Sequence, residues 1–221
     1  MKRRILCFGD SNTWGFDGRS GGRFDEDTRW TGLLQKALGP EYTIIEEGQN
    51  SRTILAEDPI LGDKTGGRYI LPCLESQRPL DLLILMLGTN DLKARFGLIP
   101  HNIGQAMDTF LRRVRSIVDY DPLLKDMKIL LLSPAPLGEG ILQAEGCENF
   151  RGEVGLQYSR ALADQYRPLA EKYGCAFLDA GAFAAAAPPD YIHLDAENHA
   201  RLAKALAERI PVLLEAGTLP L

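Results

Sequence analysis

Ser11, Asp190 and His193 are the side chains of this sequence whose types could together cleave an acyl bond, with Gly48 and Asn90 as their aids. Acyl transfer needs a nucleophile, a base that takes its proton, a group that orients the base, and donors for the oxyanion. A serine, a histidine and an aspartate fill the first three roles. Gly48 offers a backbone N–H that no Cβ obstructs, and Asn90 offers a side-chain N–H. The amide of Ser11 supplies a third donor if it opens a helix. Asn12 and Trp14, beside the nucleophile, are expected at the substrate pocket.

Each of these residues alone has a plainer meaning. A serine after a strand is a good helix cap, and "GTND" (88–91) is an ordinary turn. Asp10 and Asp91 read as turn residues with a structural role. His101, between Pro100 and a helix start at Asn102, reads as a surface-loop residue. His199 reads as packing or exposed in the last helix. His193 differs, because an acid stands three residues before it in a loop.

The elements that must position these groups are legible as apolar runs. "RILCF" (4–8), "YTIIE" (42–46), "DLLILML" (81–87), "KILLLS" (128–133) and "CAFLDA" (175–180) read as strands. The third and fourth are continuously apolar, as strands buried on both faces are. Between them lie helical patterns. Thr28 is a plausible N-cap for a helix that stops at Gly39-Pro40, and 68–77 reads as a short helix. Ile103, Met107, Phe110, Val114 and Ile117 repeat at helical spacing, as do Tyr158, Leu162, Tyr166, Leu169 and Tyr173. Asp195 caps a last helix with Leu202, Leu206 and Ile210 on one face.

Strand and helix in alternation mean a parallel sheet covered on both faces. In such a sheet, ligands bind outside the carboxyl ends of the strands. The segment after each strand is therefore where chemistry is expected. "GDSNTWG" with Ser11 follows the first, "EGQNSRT" with Gly48 the second, "GTND" with Asn90 the third, and "DYIHLD" with Asp190 and His193 the fifth. The chain reads as one domain over 1–221, without repeats or linkers. Three long irregular stretches, 16–27, 56–67 and 133–152, are expected to be functional or mobile.

Composition narrows the function classes. The 221 residues are 45% hydrophobic and 25% charged, enough to bury a core without staples. A net charge of -5 and the lack of a Lys/Arg cluster argue against a nucleic-acid binder. Cys7, Cys73, Cys147 and Cys175 form no CxxC pair, so they read as free thiols and not metal ligands. No segment approaches the apolar length of a membrane span, and a cytoplasmic protein is expected. The first strand end lacks the G-x-S-x-G elbow, because position 13 is Thr. Walker A and dinucleotide glycine patterns are also missing.

"FGDSNTWG", the glycine of "EEGQNSRT", "GTND" and "DYIH" resemble, in order, the four blocks of the GDSL, or SGNH, hydrolase family. They span residues 8–193. The flanking "RWTG", "IEEG" and "DAG" look like bacterial arylesterases that also transfer acyl groups to alcohols. The resemblance implies a flavodoxin-like three-layer α/β/α sandwich with a five-stranded parallel sheet. It implies a Ser11–His193–Asp190 triad and an oxyanion hole from Ser11, Gly48 and Asn90. It also implies a homo-oligomer, a small-molecule ester as substrate, and no metal or organic cofactor. Asn12 departs from the family pattern, standing where the name-giving motif has Leu. The expected activity is hydrolysis of small acyl esters, with acyl transfer to alcohols favoured if apolar walls come from Trp14, Phe16 and Trp30 or from a subunit packing over the mouth through 16–27 and 133–152. Trp30 reads equally well as the buried face of its helix. A carbohydrate O-acetylesterase is the alternative, and a flavodoxin-like anion-binding module, with Ser11 and Asn12 cradling the anion, is the remote one.

Overall fold

The computed structural model describes residues 2–215. Five strands form one sheet in the order β2-β1-β3-β4-β5, every neighbouring pair parallel. They are β1 (Arg3–Gly9), β2 (Tyr42–Gly48), β3 (Leu82–Met86), β4 (Lys128–Ser133) and β5 (Ala176–Asp179). Each lies within two residues of its sequence-predicted bounds. The order is flavodoxin-like, with the reversal of strand order falling between β1 and β3.

Alternate residues of each inner strand supply two cores, because successive side chains of a strand point to opposite faces. On one face Leu6, Phe8, Leu83, Leu85, Ile129 and Leu131 are buried. They pack under α3 (Gly66–Gln77), α4 (Pro100–Val118), α5 (Gly152–Arg160) and α6 (Leu162–Lys172). On the other face Ile5, Cys7, Ile84, Met86, Leu130 and Leu132 pack under α2 (Trp30–Leu38) and α7 (Ala196–Glu215). The result is a three-layer α/β/α sandwich, as the resemblance implies.

Two local expectations are corrected and a third is met. Thr28 does not cap α2; the N-cap position is Arg29, with no side-chain cap bond. The N–H groups of Thr28 and Arg29 both donate to the Asp25 carbonyl, so a turn precedes the helix. The orphan N–H of Trp30 instead donates to His199 Nδ1 at 3.2 Å, a cap supplied from α7. The single helix expected through Tyr158 and Tyr173 is two helices meeting at Ala161, where the ladder tightens to an Ala161 N–H to Tyr158 carbonyl bond. The Asp195 cap is present: its carboxylate accepts the Asn198 N–H at 3.0 Å.

A further element, α1 (Ser11–Trp14), is a single turn. It is capped by Asp10, whose carboxylate accepts the Asn12 N–H at 2.9 Å, and it closes on Gly15 in the left-handed region. This turn converts the end of β1 into a platform for Ser11.

Candidate active site

β1 ends at Gly9, where a Cβ would stand 2.8 Å from the Met86 carbonyl, so only glycine lets the chain turn there against β3. Ser11 then sits one residue into the turn. Across the sheet edge, the segment after β5 brings His193 to it. Ser11 Oγ lies 2.9 Å from His193 Nε2, and His193 Nδ1 lies 2.7 Å from Asp190 Oδ2. The other Asp190 oxygen accepts the backbone N–H groups of Ile192 and His193, each at 2.9 Å.

Burial on its own would raise the Asp190 carboxyl. The hydrogen bond and charge of His193, with the two backbone donors, outweigh it and hold the group below the ordinary carboxylate range. Asp190 is therefore ionised while it holds Nδ1, which leaves Nε2 facing Ser11.

Two of the long irregular stretches act as buttresses for this row. The Phe16 ring lies 4.4 Å from the His193 ring, centroid to centroid. Gly18 passes so close to Asp190 that a Cβ there would stand 2.5 Å from Oδ2. From the other side the Gly138 N–H donates to the Tyr191 carbonyl at 2.9 Å, and the Tyr191 ring fills the space above Gly140. Tyr191 itself has φ 57°, a strained conformation held by these contacts. A pocket of about 220 Å³ touches Asp190, His193, Arg19 and Glu197 but not Ser11, so it lies behind the row.

The expected donors stand at the end of β2 and just after β3, the strands that flank β1. Asn90 is buried, and its Nδ2 donates one N–H to the Arg52 carbonyl at 3.1 Å. That bond fixes the carboxamide, whose nitrogen carries a second N–H. Gly48 pairs with Gly9 at the end of β2. A Cβ on Gly48 would stand 2.2 Å from the Trp14 backbone N, so α1 requires the glycine for packing. α1 is too short to carry a macrodipole, and the Ser11 amide has only its local geometry to offer.

Expectations about the pocket change more. Asn12 does not line it: the residue is 4% exposed, and both ends of its carboxamide bond the backbone beside His193. Trp30 is fully buried, its indole N–H donating to the Asn12 carbonyl at 3.0 Å. Trp14 is half-buried, with the Arg23 guanidinium 5.3 Å from its ring centroid. His199 is buried, the packing half of its reading, and burial pushes its imidazole down to about 4. Asp10 and Asp91 are buried too, unlike ordinary turn acids.

Arg52 is the residue that sequence reasoning missed. It is 3% exposed, with its guanidinium 4.2 Å from the Phe8 ring centroid. Its Nη1 donates to the Gly9 carbonyl at 2.8 Å and to the Glu47 carbonyl. With its own carbonyl on Asn90, it ties the ends of β1, β2 and β3 together. A lone arginine in a polar loop carries no signal of this, since all three partners are main chain or distant in sequence. Among the described residues no group of three His, Cys, Asp or Glu side chains is placed to hold a metal ion.

A flavodoxin-like sheet bearing a hydrogen-bonded serine, histidine and aspartate at its carboxyl edge is the architecture of an ester hydrolase. The chain belongs to the GDSL-like lipase/acylhydrolase family, whose sequence model matches residues 7–201. It is a carboxylic ester hydrolase. The aryl esterase of M. smegmatis is 38% identical, with a TM-score of 0.85 over 96% of this chain and 99% of that one. Est24, a carbohydrate acetylesterase from Sinorhizobium meliloti, is 35% identical, with a TM-score of 0.86 over 96% of this chain and 100% of that one. No curated protein matches the chain. No helix among the described residues is long and apolar enough to cross a membrane.

Proposed function

We propose that the protein is a serine esterase for acetyl-type esters of aryl and alkyl alcohols, working as one domain through an acyl-enzyme on Ser11. The observation that carries this reading is the row from Ser11 Oγ through His193 to Asp190, at 2.9 and 2.7 Å. Ser11 Oγ attacks the ester carbonyl carbon while His193 Nε2 takes its proton. The oxyanion accepts N–H groups from Ser11, Gly48 and Asn90. Collapse breaks the bond to the alcohol oxygen, which leaves with the proton from Nε2. Water or a second alcohol then enters, gives its proton to Nε2 and takes the acyl group, restoring Ser11. Asp190 stays ionised throughout and holds the imidazolium.

Asn90 supplies the quantitative check on the oxyanion donors. One preorganised donor is worth about 2.7–4 kcal/mol, so Asn90→Ala lowers kcat by roughly 10²- to 10³-fold with little change in KM. Steady-state kinetics on an aryl acetate read this directly. A variant that raises KM and keeps kcat places Asn90 in the substrate pocket instead.

A hydrolysis screen of aryl acetates, alkyl acetates and acetylated sugars, across acyl lengths, tests the substrate class. Aryl and alkyl acetates are expected to lead. The likeness to the S. meliloti acetylesterase supports a second reading, carbohydrate O-acetylesterase, and preference for acetylated sugars would establish it. With vinyl acetate and a benzylic alcohol, gas chromatography of the products measures acyl transfer. Some acetate is expected on the alcohol, because an oriented acceptor outcompetes bulk water when its effective molarity reaches about 10⁵ M. Free acetate as the only product would make the protein a plain hydrolase. Failure of an aryl phosphonate to label Ser11 would remove Ser11 as the nucleophile.

The same reading places the enzyme in the cytoplasm, as four unpaired cysteines suit a reducing compartment. It also makes the protein a homo-oligomer. Edge strand β5 lies in a groove of about 650 Å³ between α6 and α7, with Phe183 and Val212 exposed beside it. Light scattering gives the subunit number.

A further inference from the structure

Asn12 sits next to the nucleophile in sequence, yet its side chain belongs to the base. Its Nδ2 donates to the Ile192 carbonyl at 3.2 Å, and its Oδ1 accepts the Leu194 N–H at 2.9 Å. Those two groups belong to the peptide units on either side of His193. Holding both fixes the position of the His193 Cα and the direction in which its imidazole leaves the backbone. The remaining backbone bonds of His193 stay inside its own loop: its N–H goes to Asp190 and its carbonyl accepts the Ala187 N–H at 2.9 Å. They give the loop its shape without relating it to Ser11. The Asn12 carboxamide supplies that relation, and it does so from the turn that carries Ser11.

The tether is rigid at its other end. The Asn12 N–H is held by Asp10, and its carbonyl accepts the Trp30 indole N–H. All the polar groups of Asn12 are thus bonded, in a residue 4% exposed beside a Leu194 that is 2% exposed. Leucine, the residue of the name-giving motif, could make neither bond and would leave the buried Leu194 N–H without a partner.

We propose that Asn12 is a positioning residue that sets His193 Nε2 against Ser11 Oγ by clamping both peptide units of His193. The proposal rests on the esterase reading of Ser11 and His193. Asn12→Leu, close in size, is expected to lower kcat about 10- to 100-fold with KM nearly unchanged, since a displacement near 1 Å costs up to about 10² in rate. Asn12→Asp supplies a readout that a role in stability alone would not move. A protonated carboxyl donates to the Ile192 carbonyl and accepts from the Leu194 N–H, reproducing both bonds. An ionised one has no proton for Ile192. The ratio of Asn12→Asp to wild-type kcat is therefore expected to fall as pH rises, while the Asn12→Leu ratio stays flat. Through-space attraction for the imidazolium alone gives the opposite slope, because a carboxylate beside His193 keeps the base protonated to higher pH.

Circular dichroism melts first establish that each variant is folded at the assay temperature. Wild-type kcat in folded Asn12→Leu overturns the proposal, and so does a flat or rising Asn12→Asp ratio. If Asn12→Leu does not fold, the Asn12→Asp ratio decides alone. If neither folds, Asn12 serves the fold and the proposal falls. Labelling of Ser11 by an aryl phosphonate in the wild type separates the two levels. No labelling defeats the esterase reading, whereas normal labelling with unaffected variants defeats only the role of Asn12.

Discussion

Ser11→Ala is expected to keep the fold and lose esterase turnover by about 10⁴-fold or more, the scale seen when a nucleophile is removed from such a triad. The fold survives because the Ser11 hydroxyl has His193 as its side-chain partner and α1 is held by backbone bonds to Asp10 and Ser11 carbonyls. The rate does not survive, because no acyl-enzyme forms without Oγ. His193→Ala is expected to fall by a similar factor, as nucleophile and base act as a unit and their losses do not add. The other two histidines give the control. His101 is exposed at the start of α4, and His101→Ala is expected to leave turnover near wild type. His199→Ala removes the acceptor for the Trp30 N–H and loosens α2 against α7, so it lowers thermal stability but retains most of the activity. Purified variants assayed on an aryl acetate, with melts recorded in parallel, give the comparison. Near-normal activity in Ser11→Ala ends the triad assignment, and a dead but folded His199→Ala moves the base.

That contrast between His193 and His199 was only partly legible in the sequence. Ser11, Asp190 and His193 stand out because they follow apolar strands at the one edge of a parallel sheet where loops converge. The strands themselves are continuous apolar runs, which needs no tertiary information to read. What the sequence hides are relations between distant groups. The cap of α2 is His199, 169 residues from Trp30, so Thr28 looked like the better cap. Asn12 looked like a pocket residue because nothing local shows that its amide meets Ile192 and Leu194. Arg52 works through main-chain carbonyls, which leave no trace in side-chain identity. The acids of "GDS" and "GTND" look like turn residues, and only the packing of the three strand ends reveals that both are buried.

Burial of Asp91 has the largest expected consequence for stability. Its carboxylate oxygens accept the Ile54 N–H at 3.2 and 3.1 Å, and the side chain is fully buried. Burial pushes the carboxyl from its ordinary 3.8 up to about 7; the Ile54 bond opposes this, and the charge of Asp10 adds to it. The folded protein thus holds this proton more tightly than the unfolded chain. Below pH of about 4 both states are protonated and the carboxyl imposes no penalty. As pH rises from 3.8 toward about 7 the unfolded chain gives up the proton while the folded one keeps it, so the penalty grows, and above about 7 it levels off at the full gap, roughly 4 kcal/mol. Asp91→Asn keeps an acceptor for Ile54 and removes the charge. Its Tm is expected to change little or fall at pH 4, where the wild type is already neutral and the new amide needs a partner. At pH 8 it gains relative to the wild type, by on the order of 10 °C at about 2–4 °C per kcal/mol for a chain of this length. Other titrating groups act in both proteins, so the difference in Tm between them reports Asp91 together with its coupling to Asp10 and Lys93. Parallel melting curves across pH 4–8 would show Asp91 to be an ordinary ionised carboxylate and remove the buried proton from the account. If the difference appears, the Asp91 carboxyl favours the folded state on the acid side and opposes it above about 7. A buried acid next in sequence to Asn90 then ties the stability of this edge of the sheet to pH.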